Sequence, residues 1–357
     1  MRALILAAIA GCGAKSTPAT TSSTYQNPVI DDDFADPSVL HASDGTYWVY
    51  ATQVASGDRR INLQVTHTRD LVHYEPVADA LPTKPTWASK TQDFWAPHPV
   101  QRGKDVLLYY AANPDTKAGM CIGVARASSP AGPFVDSGAP LVCGEGFTTI
   151  DAFVLDDPKT KKSYLFWGSN SAPIVARELA ADGVSFAPGS EVKPVFEPDR
   201  KAPYENLIEG PWIVIKDGHY VLFYSGDNCC GKNAHYAVLV ARADDALGPY
   251  TRRDAAHGGP VLVEKNDHWI GPGHNAVATD ASGQDWLLYH ALDPKRPSEP
   301  CPTTASGVPE EGVLACGKNG ELPSRRPLLV DRITWRDGWP YVEGPTSTPQ
   351  PAPKAAR

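Results

Sequence analysis

Three acidic side chains and one imidazole occupy matching places in a repeated pattern. Asp36 lies in the string Ala-Asp-Pro, Asp151 in Ile-Asp-Ala, Glu209 in Ile-Glu-Gly-Pro and His274 in Gly-His-Asn. Each string stands about 11 to 13 residues before a segment rich in aromatic and aliphatic residues. An isolated Asp usually caps a turn and an isolated Glu is usually a solvated charge. Carboxyl groups that share a cavity can instead divide acid and base roles, and the common phase favours this interpretation.

The segments that follow these strings predict the elements that position them. Their β-branched, leucine and aromatic content, together with preceding turns such as Asp44-Gly45, is typical of strands entered through hairpins. Successive segments lie roughly 55 to 65 residues apart, which is enough for one four-stranded antiparallel sheet each. The five segments are Thr46–Tyr50, Val106–Tyr110, Tyr164–Trp167, Tyr220–Tyr224 and Trp286–His290. We therefore predict an all-β fold, a five-bladed β-propeller in which equivalent positions converge on one axis.

Composition agrees with many short elements in a folded chain. Of 357 residues, 42% are hydrophobic and 21% are charged, which excludes a disordered protein. The 34 prolines and only 2 methionines favour turns over long helices. The formal net charge of −8 argues against nucleic acid, or an anionic membrane surface, as a partner.

The two ends of the chain differ from the middle. Residues 1–24 contain a short apolar run that ends at Cys12 and then a Ser/Thr-rich stretch, which predicts a signal followed by a tether. The apolar run is too short to span a bilayer, so membrane contact is expected only through a lipid on Cys12, as in bacterial lipoproteins. The alternative is an ordinary export signal. We expect residues 25–344 to form the propeller, as an exported or lipid-anchored monomer, and residues 345–357 to form a loose Pro-rich tail.

Six further cysteines allow 15 disulfide pairings. In an exported chain, proximity favours Cys121 with Cys143 and Cys301 with Cys316, which leaves Cys229 and Cys230 for a bond between neighbours. The alternative for the last pair is two free buried thiols.

Several motifs in a fixed order give the sequence a family resemblance that runs from Asn27 to about Gly344. It resembles glycoside hydrolase family 43, whose members are five-bladed propellers that cleave arabinose and xylose units from plant cell-wall polysaccharides. The motifs are Ala35-Asp36-Pro37-Ser38-Val39, Phe94-Trp95-Ala96-Pro97-His98, Thr149-Ile150-Asp151, Glu209-Gly210-Pro211, Gly271-Pro272-Gly273-His274-Asn275 and Arg326-Pro327-Leu328.

The resemblance implies a role for each of five residues in catalysis or substrate binding. Asp36 corresponds to the general base, Glu209 to the general acid, and Asp151 to the carboxylate that orients the acid and adjusts its pKa. Two more positions correspond to substrate-binding residues, Trp95 as a wall of the cleavage subsite and Arg326 as a donor to sugar hydroxyls. The alternatives are blade packing for Trp95 and a surface charge for Arg326.

His274 matches the histidine that in arabinan-acting members faces a metal, usually calcium, held mostly by water. The alternative for His274 is a hydrogen bond to Asp151 or to a buried water. Calcium prefers oxygen ligands, so an imidazole would be an unusual direct ligand.

The resemblance is strongest to arabinan-acting members, on the strings around Asn228-Cys229-Cys230-Gly231 and Gly273-His274-Asn275. We therefore expect an inverting hydrolase of α-L-arabinofuranosidic linkages, an arabinanase or an arabinofuranosidase. A β-xylosidase or other xylan-acting member is the enzymatic alternative. A non-catalytic sugar-binding propeller is the alternative from another class, but it would have no need for three carboxylates at the axis.

Overall fold

Strands account for nearly all the regular structure in the part of the chain that the structure describes. The computed structural model describes residues 24–56, 59–116, 119–231, 233–298 and 324–356, so the predictions for Cys12, for the signal and for Cys301 with Cys316 lie outside these residues. Within them the helices are two single 3₁₀ turns, Thr86–Ala88 and Ala255–His257. None of the helices in the described ranges is long and apolar enough to cross a membrane.

The first two large sheets are antiparallel and follow each other along the chain. The chain begins with the short strand β1 (Thr24–Tyr25), which lies outside sheet one. Sheet one contains β2 (Ser38–His41), β3 (Tyr47–Ala51), β6 (Gln64–Thr68) and β7 (Ala78–Asp79). Between β3 and β6 the chain forms a separate small hairpin of β4 (Val54–Ser56) and β5 (Arg59–Ile61). Sheet two contains β8 (Phe94–Arg102), β9 (Asp105–Ala112), β10 (Cys121–Ala127), β11 (Val135–Asp136) and β12 (Val142–Cys143).

The next three sheets repeat this order. Sheet three contains β13 (Phe153–Asp156), β14 (Ser163–Trp167), β15 (Ile174–Leu179) and β16 (Lys193–Phe196). Sheet four contains β17 (Ile208–Lys216), β18 (His219–Asn228), β19 (His235–Ala243), β20 (Thr251–Arg252) and β21 (Val261–Val263). Sheet five contains β22 (Ile270–Thr279), β23 (Asp285–Leu292), β24 (Leu328–Arg336) and β25 (Trp339–Val342), and β26 (Gln350–Pro351) follows it.

The five sheets are the blades of a five-bladed β-propeller, as the sequence predicts. The five aromatic segments form the second strand of each blade, β3, β9, β14, β18 and β23. The first strand of each blade is β2, β8, β13, β17 or β22, and the residues that carry the acidic strings lie at or just before its start.

The hydrophobic core lies between the blades. One buried cluster joins blades one and two, and three more join blades two and three, three and four, and four and five. A fifth cluster closes the ring, because it packs Tyr47 and Val49 of blade one against Trp286 and Leu288 of blade five. Burial of apolar side chains thus holds each blade against its neighbours and fixes the axis on which the first strands converge.

The expectation of a loose C-terminal tail is wrong for the described residues up to 356. Strand β26 pairs with β1, which joins the two ends of the described chain. The hydroxyl of Thr346 donates to Asp331 at 2.5 Å, and the Lys354 amide donates to Asp280 at 2.9 Å. The Ala356 amide donates to the Arg69 carbonyl at 2.8 Å. Hydrogen bonds of the main chain and of one hydroxyl thus hold a segment that lacks large apolar side chains.

Two of the three expected disulfides lie within the described residues, and both are present. Cys121 is bonded to Cys143, where β10 pairs with β12. Cys229 is bonded to its neighbour Cys230, between β18 and β19, so the alternative of free thiols is wrong.

Candidate active site

One position near the start of each first strand has a left-handed backbone. The φ angles are 55° at Asp36, 46° at Ala96, 61° at Asp151, 59° at Gly210 and 46° at His274. Residues other than glycine seldom adopt this region, so five occurrences in phase identify the equivalent position of the five blades. Glu209 precedes this position by one residue, as Trp95 does in blade two. The sequence strings therefore place Glu209 in the right blade but one residue out of phase with Asp36 and Asp151.

Backbone N–H groups at this position tie neighbouring blades together. Four of them donate to a side chain of the preceding blade: Asp36 to His290 Nδ1 at 3.1 Å, Ala96 to Thr52 Oγ1 at 3.0 Å, Gly210 to Asp151 Oδ2 at 3.0 Å and His274 to Ser225 Oγ at 2.8 Å. Since His290 accepts through Nδ1, its ring is neutral, and burial lowers its pKa to about 4. These bonds fix the backbone from which the acidic side chains project.

A cavity of about 440 Å³ opens at this end of the axis. All six residues singled out from the sequence line it: Asp36, Trp95, Asp151, Glu209, His274 and Arg326. Trp95 stacks on Phe147 with ring centroids 5.9 Å apart, and Phe147 is half exposed at 51%. Aromatic faces of this kind can pack against the C–H face of a sugar ring. The cavity thus combines the three carboxyl groups singled out from the sequence with an aromatic wall.

Asp36 is held by a guanidinium and a hydroxyl. Arg326 Nη1 donates to Asp36 Oδ1 at 3.0 Å, and the Thr52 hydroxyl donates to Oδ2. Burial by itself raises the pKa of Asp36, but the positive charge of Arg326, together with the imidazoles of His274 and His290, outweighs burial and holds that pKa well below its usual range. Asp36 is therefore a carboxylate at neutral pH, able to accept a proton. The Arg326 side chain is only 13% exposed and pairs with Asp36, which contradicts the alternative of a surface charge.

Glu209 is held by two neutral hydroxyls. Tyr236 donates to Oε1 at 2.7 Å, and Ser169 donates to Oε2. Burial raises the pKa of Glu209 and the charge of Asp36 adds to the effect, while the two hydroxyl donors oppose it. Gly273 allows the Tyr236 ring to approach, because a Cβ on that glycine would lie 2.0 Å from the ring.

Asp151 lies between Glu209 and His274. Its Oδ2 accepts the Gly210 amide at 3.0 Å, and His274 Nδ1 lies 3.6 Å from the same oxygen. Burial raises the pKa of Asp151 well above its usual range, and the negative charge of Glu209 adds to this. Asp151 and Glu209 therefore titrate as a coupled pair that retains a proton more readily than isolated carboxyl groups.

Sequence reasoning missed the partners of the acids. Ser169, Tyr236, Thr52 and His290 lie on second or third strands or just beyond them and belong to no acidic string. Two of them could have been found from the sequence, because His290 ends one of the five aromatic segments and Thr52 lies just after another. Asp33 was also missed: it is buried, accepts the Arg326 amide at 2.9 Å and lines the cavity, and burial raises its pKa to about 6.

A directly coordinated calcium ion does not fit the donor set around His274. No group of three or more His, Cys, Asp or Glu side chains suited to a metal occurs in the part of the chain that the structure describes. His274 Nδ1 lies 3.6 and 3.7 Å from the nearest oxygens of Asp151 and Asp36, and burial lowers the pKa of the His274 ring. Water molecules would have to supply most of the ligands of a calcium ion at this place.

Comparison with known proteins identifies the family of this chain. The family model for glycosyl hydrolases family 43 matches residues 25–340, which is most of the chain. The chain belongs to glycoside hydrolase family 43. It is therefore a glycosidase of that family, and the resemblance found in the sequence is confirmed.

Family 43 relatives match nearly the whole domain. The extracellular exo-α-(1→5)-L-arabinofuranosidase ArbA of Cellvibrio japonicus is 27% identical, with 82% of this chain and 83% of that protein covered. The extracellular endo-α-(1→5)-L-arabinanase 1 of Bacillus subtilis is 25% identical, with 85% and 86% covered. The crystal structure of a thermostable family 43 glycoside hydrolase superimposes with a TM-score of 0.72 at 26% identity and covers 93% of this chain and 100% of that chain.

Proposed function

We propose that this family 43 enzyme hydrolyses α-L-arabinofuranosidic linkages with inversion of configuration. The observation that carries the proposal is the contrast between two acids in one cavity. Asp36 is ionised beside Arg326, whereas the pKa of Glu209 is raised by burial. A glycosidase that inverts needs one carboxylate and one carboxylic acid on opposite sides of the bond it cleaves. Two relatives named for activity on α-(1→5)-linked L-arabinose support the choice of sugar.

The chemistry assigns one proton transfer to each acid. Asp36 removes a proton from a water molecule whose oxygen bonds to the anomeric carbon. The bond from that carbon to the leaving oxygen breaks, and Glu209 donates its proton to this oxygen. Asp151 and Glu209 retain a proton as a coupled pair, which Glu209 can donate, and Asp151 accepts a hydrogen bond from the Gly210 amide beside Glu209. Blades one and four are not neighbours in the ring, which leaves room for sugar and water between Asp36 and Glu209.

Two measurements test this proposal. Initial rates on linear α-(1→5)-arabinan, an aryl α-L-arabinofuranoside and an aryl β-D-xyloside compare the sugar classes, and we expect turnover of the two arabinose substrates. Preferred turnover of the xyloside would instead assign the enzyme to xylan-derived chains, and no turnover of any substrate would favour a sugar-binding propeller. Proton NMR of the freshly released sugar reports its configuration, and a retained anomer would reject the role of Asp36 as base.

We also propose that a hydrated calcium ion lies beside His274, held through water rather than by protein ligands. Hard cations keep oxygen ligands, and water can supply those that His274 does not. Elemental analysis of the purified protein is expected to give one calcium per chain, which the substitution His274→Ala abolishes. Calcium retained in the variant, or absent from the native protein, would leave His274 with a hydrogen-bonding role only.

Export with a lipid on Cys12 is a further proposal from the N-terminal sequence. Both arabinan-acting relatives named above are called extracellular, which supports export. The mass of the mature protein purified from membranes should include the lipid, and Cys12→Ala should remove it. A mature form without added mass would favour the ordinary export signal.

A further inference from the structure

A disulfide between neighbouring residues forms part of the cavity wall. Cys229 and Cys230 both line the cavity that contains the three acids, together with Asn228 of the same loop. Both cysteines are only partly buried, so their side chains are available to a molecule in the cavity. Neither the proton transfers nor the closure of the propeller gives this bond a task.

Stabilisation of the fold is a poor explanation for the bond. A cross-link stabilises a protein chiefly by restricting the unfolded chain, and the effect grows with the length of the loop it closes. Cys121 and Cys143 are 22 residues apart, whereas Cys229 and Cys230 are adjacent. The loop is already fixed by Asn228, whose side-chain amide donates to the Cys230 carbonyl at 3.0 Å and to the Asn233 carbonyl at 3.1 Å.

The position of the bond relates it to the general acid. Glu209 on β17 pairs with Ser225 on β18, and β18 continues to Asn228 before the two cysteines. The disulfide therefore lies on the blade that carries Glu209, just beyond the end of the strand that pairs with the acid, and in the wall of the same cavity. Since the proposed acid must meet the leaving oxygen, this part of the wall adjoins the departing sugar rather than the ring that is attacked.

The chemistry of the bond suits a sugar ring. Two sulfur atoms and two methylene groups form a closed, rigid surface with no N–H or O–H donor of its own. A furanose ring has hydroxyls on its edges and C–H groups on its faces, so it can place a face on such a surface and keep its hydroxyls for polar groups. We propose that Cys229–Cys230 is an apolar platform for the sugar on the leaving-group side of the cleaved bond. This inference rests on the function proposed above.

The test compares one substrate that reaches the platform with one that cannot. α-(1→5)-Arabinotriose has a sugar on both sides of any bond it offers, whereas methyl α-L-arabinofuranoside has only a methyl leaving group. In the variant C229A/C230A we expect KM for arabinotriose to rise about fivefold, as for the loss of a small apolar contact, with kcat nearly unchanged. Values for the methyl glycoside should stay within about twofold. The matched control is C121A/C143A, which removes the other described disulfide; neither of its cysteines lines the cavity, and both KM values should stay unchanged.

The outcomes separate the platform from the function itself. Unchanged KM for arabinotriose in C229A/C230A, or an equal rise on both substrates, would reject the platform while the wild-type enzyme remains an arabinose hydrolase. Wild-type protein that cleaves neither substrate would reject the proposed function and the platform together. If C229A/C230A does not fold, the single variant C230S, which keeps the size of the side chain but breaks the bond, gives the same comparison.

Discussion

The two sides of the cavity shift the pKa of a carboxyl group in opposite directions. On the side of blade one, Asp36 receives a hydrogen bond from the buried guanidinium of Arg326. On the side of blade four, Glu209 receives hydrogen bonds from two neutral hydroxyls and lies near a second buried acid, Asp151. Burial raises the pKa of both acids, so burial alone does not distinguish them. The difference shows that the charge of the nearest partner, rather than exposure, sets which acid keeps its proton.

Removal of the ionised carboxylate of Asp36 should have the largest effect on kcat. Asp36→Asn keeps the shape of the residue but cannot accept a proton, so we expect kcat to fall about 10³-fold on every substrate, whatever its leaving group. Steady-state rates on arabinan and on an aryl arabinofuranoside measure this. Asp267→Asn, at an exposed position, is the control and should behave as wild type. Appreciable turnover by Asp36→Asn would remove it as the base.

The loss of kcat on removal of the protonated acid, Glu209, should depend on the substrate. Glu209→Gln cannot donate a proton, so kcat on arabinan should fall about 10²-fold to 10³-fold. An activated aryl leaving group needs little protonation, so the loss on that substrate should be below about tenfold. The ratio of the two losses is the measurement, with Glu191→Gln at an exposed position as the control. Equal losses on both substrates would contradict the assignment of Glu209 as the acid.

Replacing the positively charged Arg326 by a neutral residue should make the pKa values of Asp36 and Glu209 more alike. In Arg326→Gln the pKa of Asp36 should rise because its ionised form loses the guanidinium. Asp36 acts as a carboxylate, and activity is lost as the pH falls through its pKa, so the acidic limb of the kcat/KM profile should move to higher pH. We expect a loss of about 10²-fold at neutral pH, in line with one charge-assisted contact. Arg332→Gln, on the outer part of blade five, should leave the limb in place.

The smallest expected effect is a shift of the opposite limb. Tyr236→Phe removes a donor that favours ionised Glu209, so the pKa of Glu209 should rise. Glu209 acts while protonated, and activity is lost as the pH rises through its pKa, so the basic limb should move to higher pH with only a several-fold change in kcat. Ser169→Ala should shift the same limb in the same direction. A shift of the acidic limb instead would mean that Tyr236 acts through Asp36.

The repeat in the sequence predicts the positions of the acids but not their environments. Asp36, Asp151 and His274 share one backbone conformation, and their phase relative to the aromatic strands was sufficient to bring them together. Glu209 lies one residue before the shared position, which is Gly210 in its blade. A comparison of the short sequence strings does not reveal this offset. Ser169 and Tyr236 donate to Glu209 and lower its pKa, but they lie on or just beyond other strands and belong to no motif. Contacts of this kind depend on the register between strands, which a single sequence does not contain.

Composition was misleading at the C-terminal end. A segment rich in Pro, Ser and Thr has few apolar side chains to bury, which led to the expectation of a loose tail. Main-chain groups and the Thr346 hydroxyl hold it instead, through Asp331, Asp280 and strand β1. Asp331 is buried, and burial raises its pKa to about 6 although it accepts several hydrogen bonds.

The pairing of β1 with β26 brings the two ends of the described chain together and so determines on which face of the propeller another module could be joined. The last residues contact Asp280 and Arg69, which lie at the hairpin ends of their strands, whereas the acids lie where the first strands begin. Both ends of the described chain therefore leave from the face away from the cavity. An attachment made directly at Thr24 or at Ala356 would therefore lie on the opposite face from the cavity.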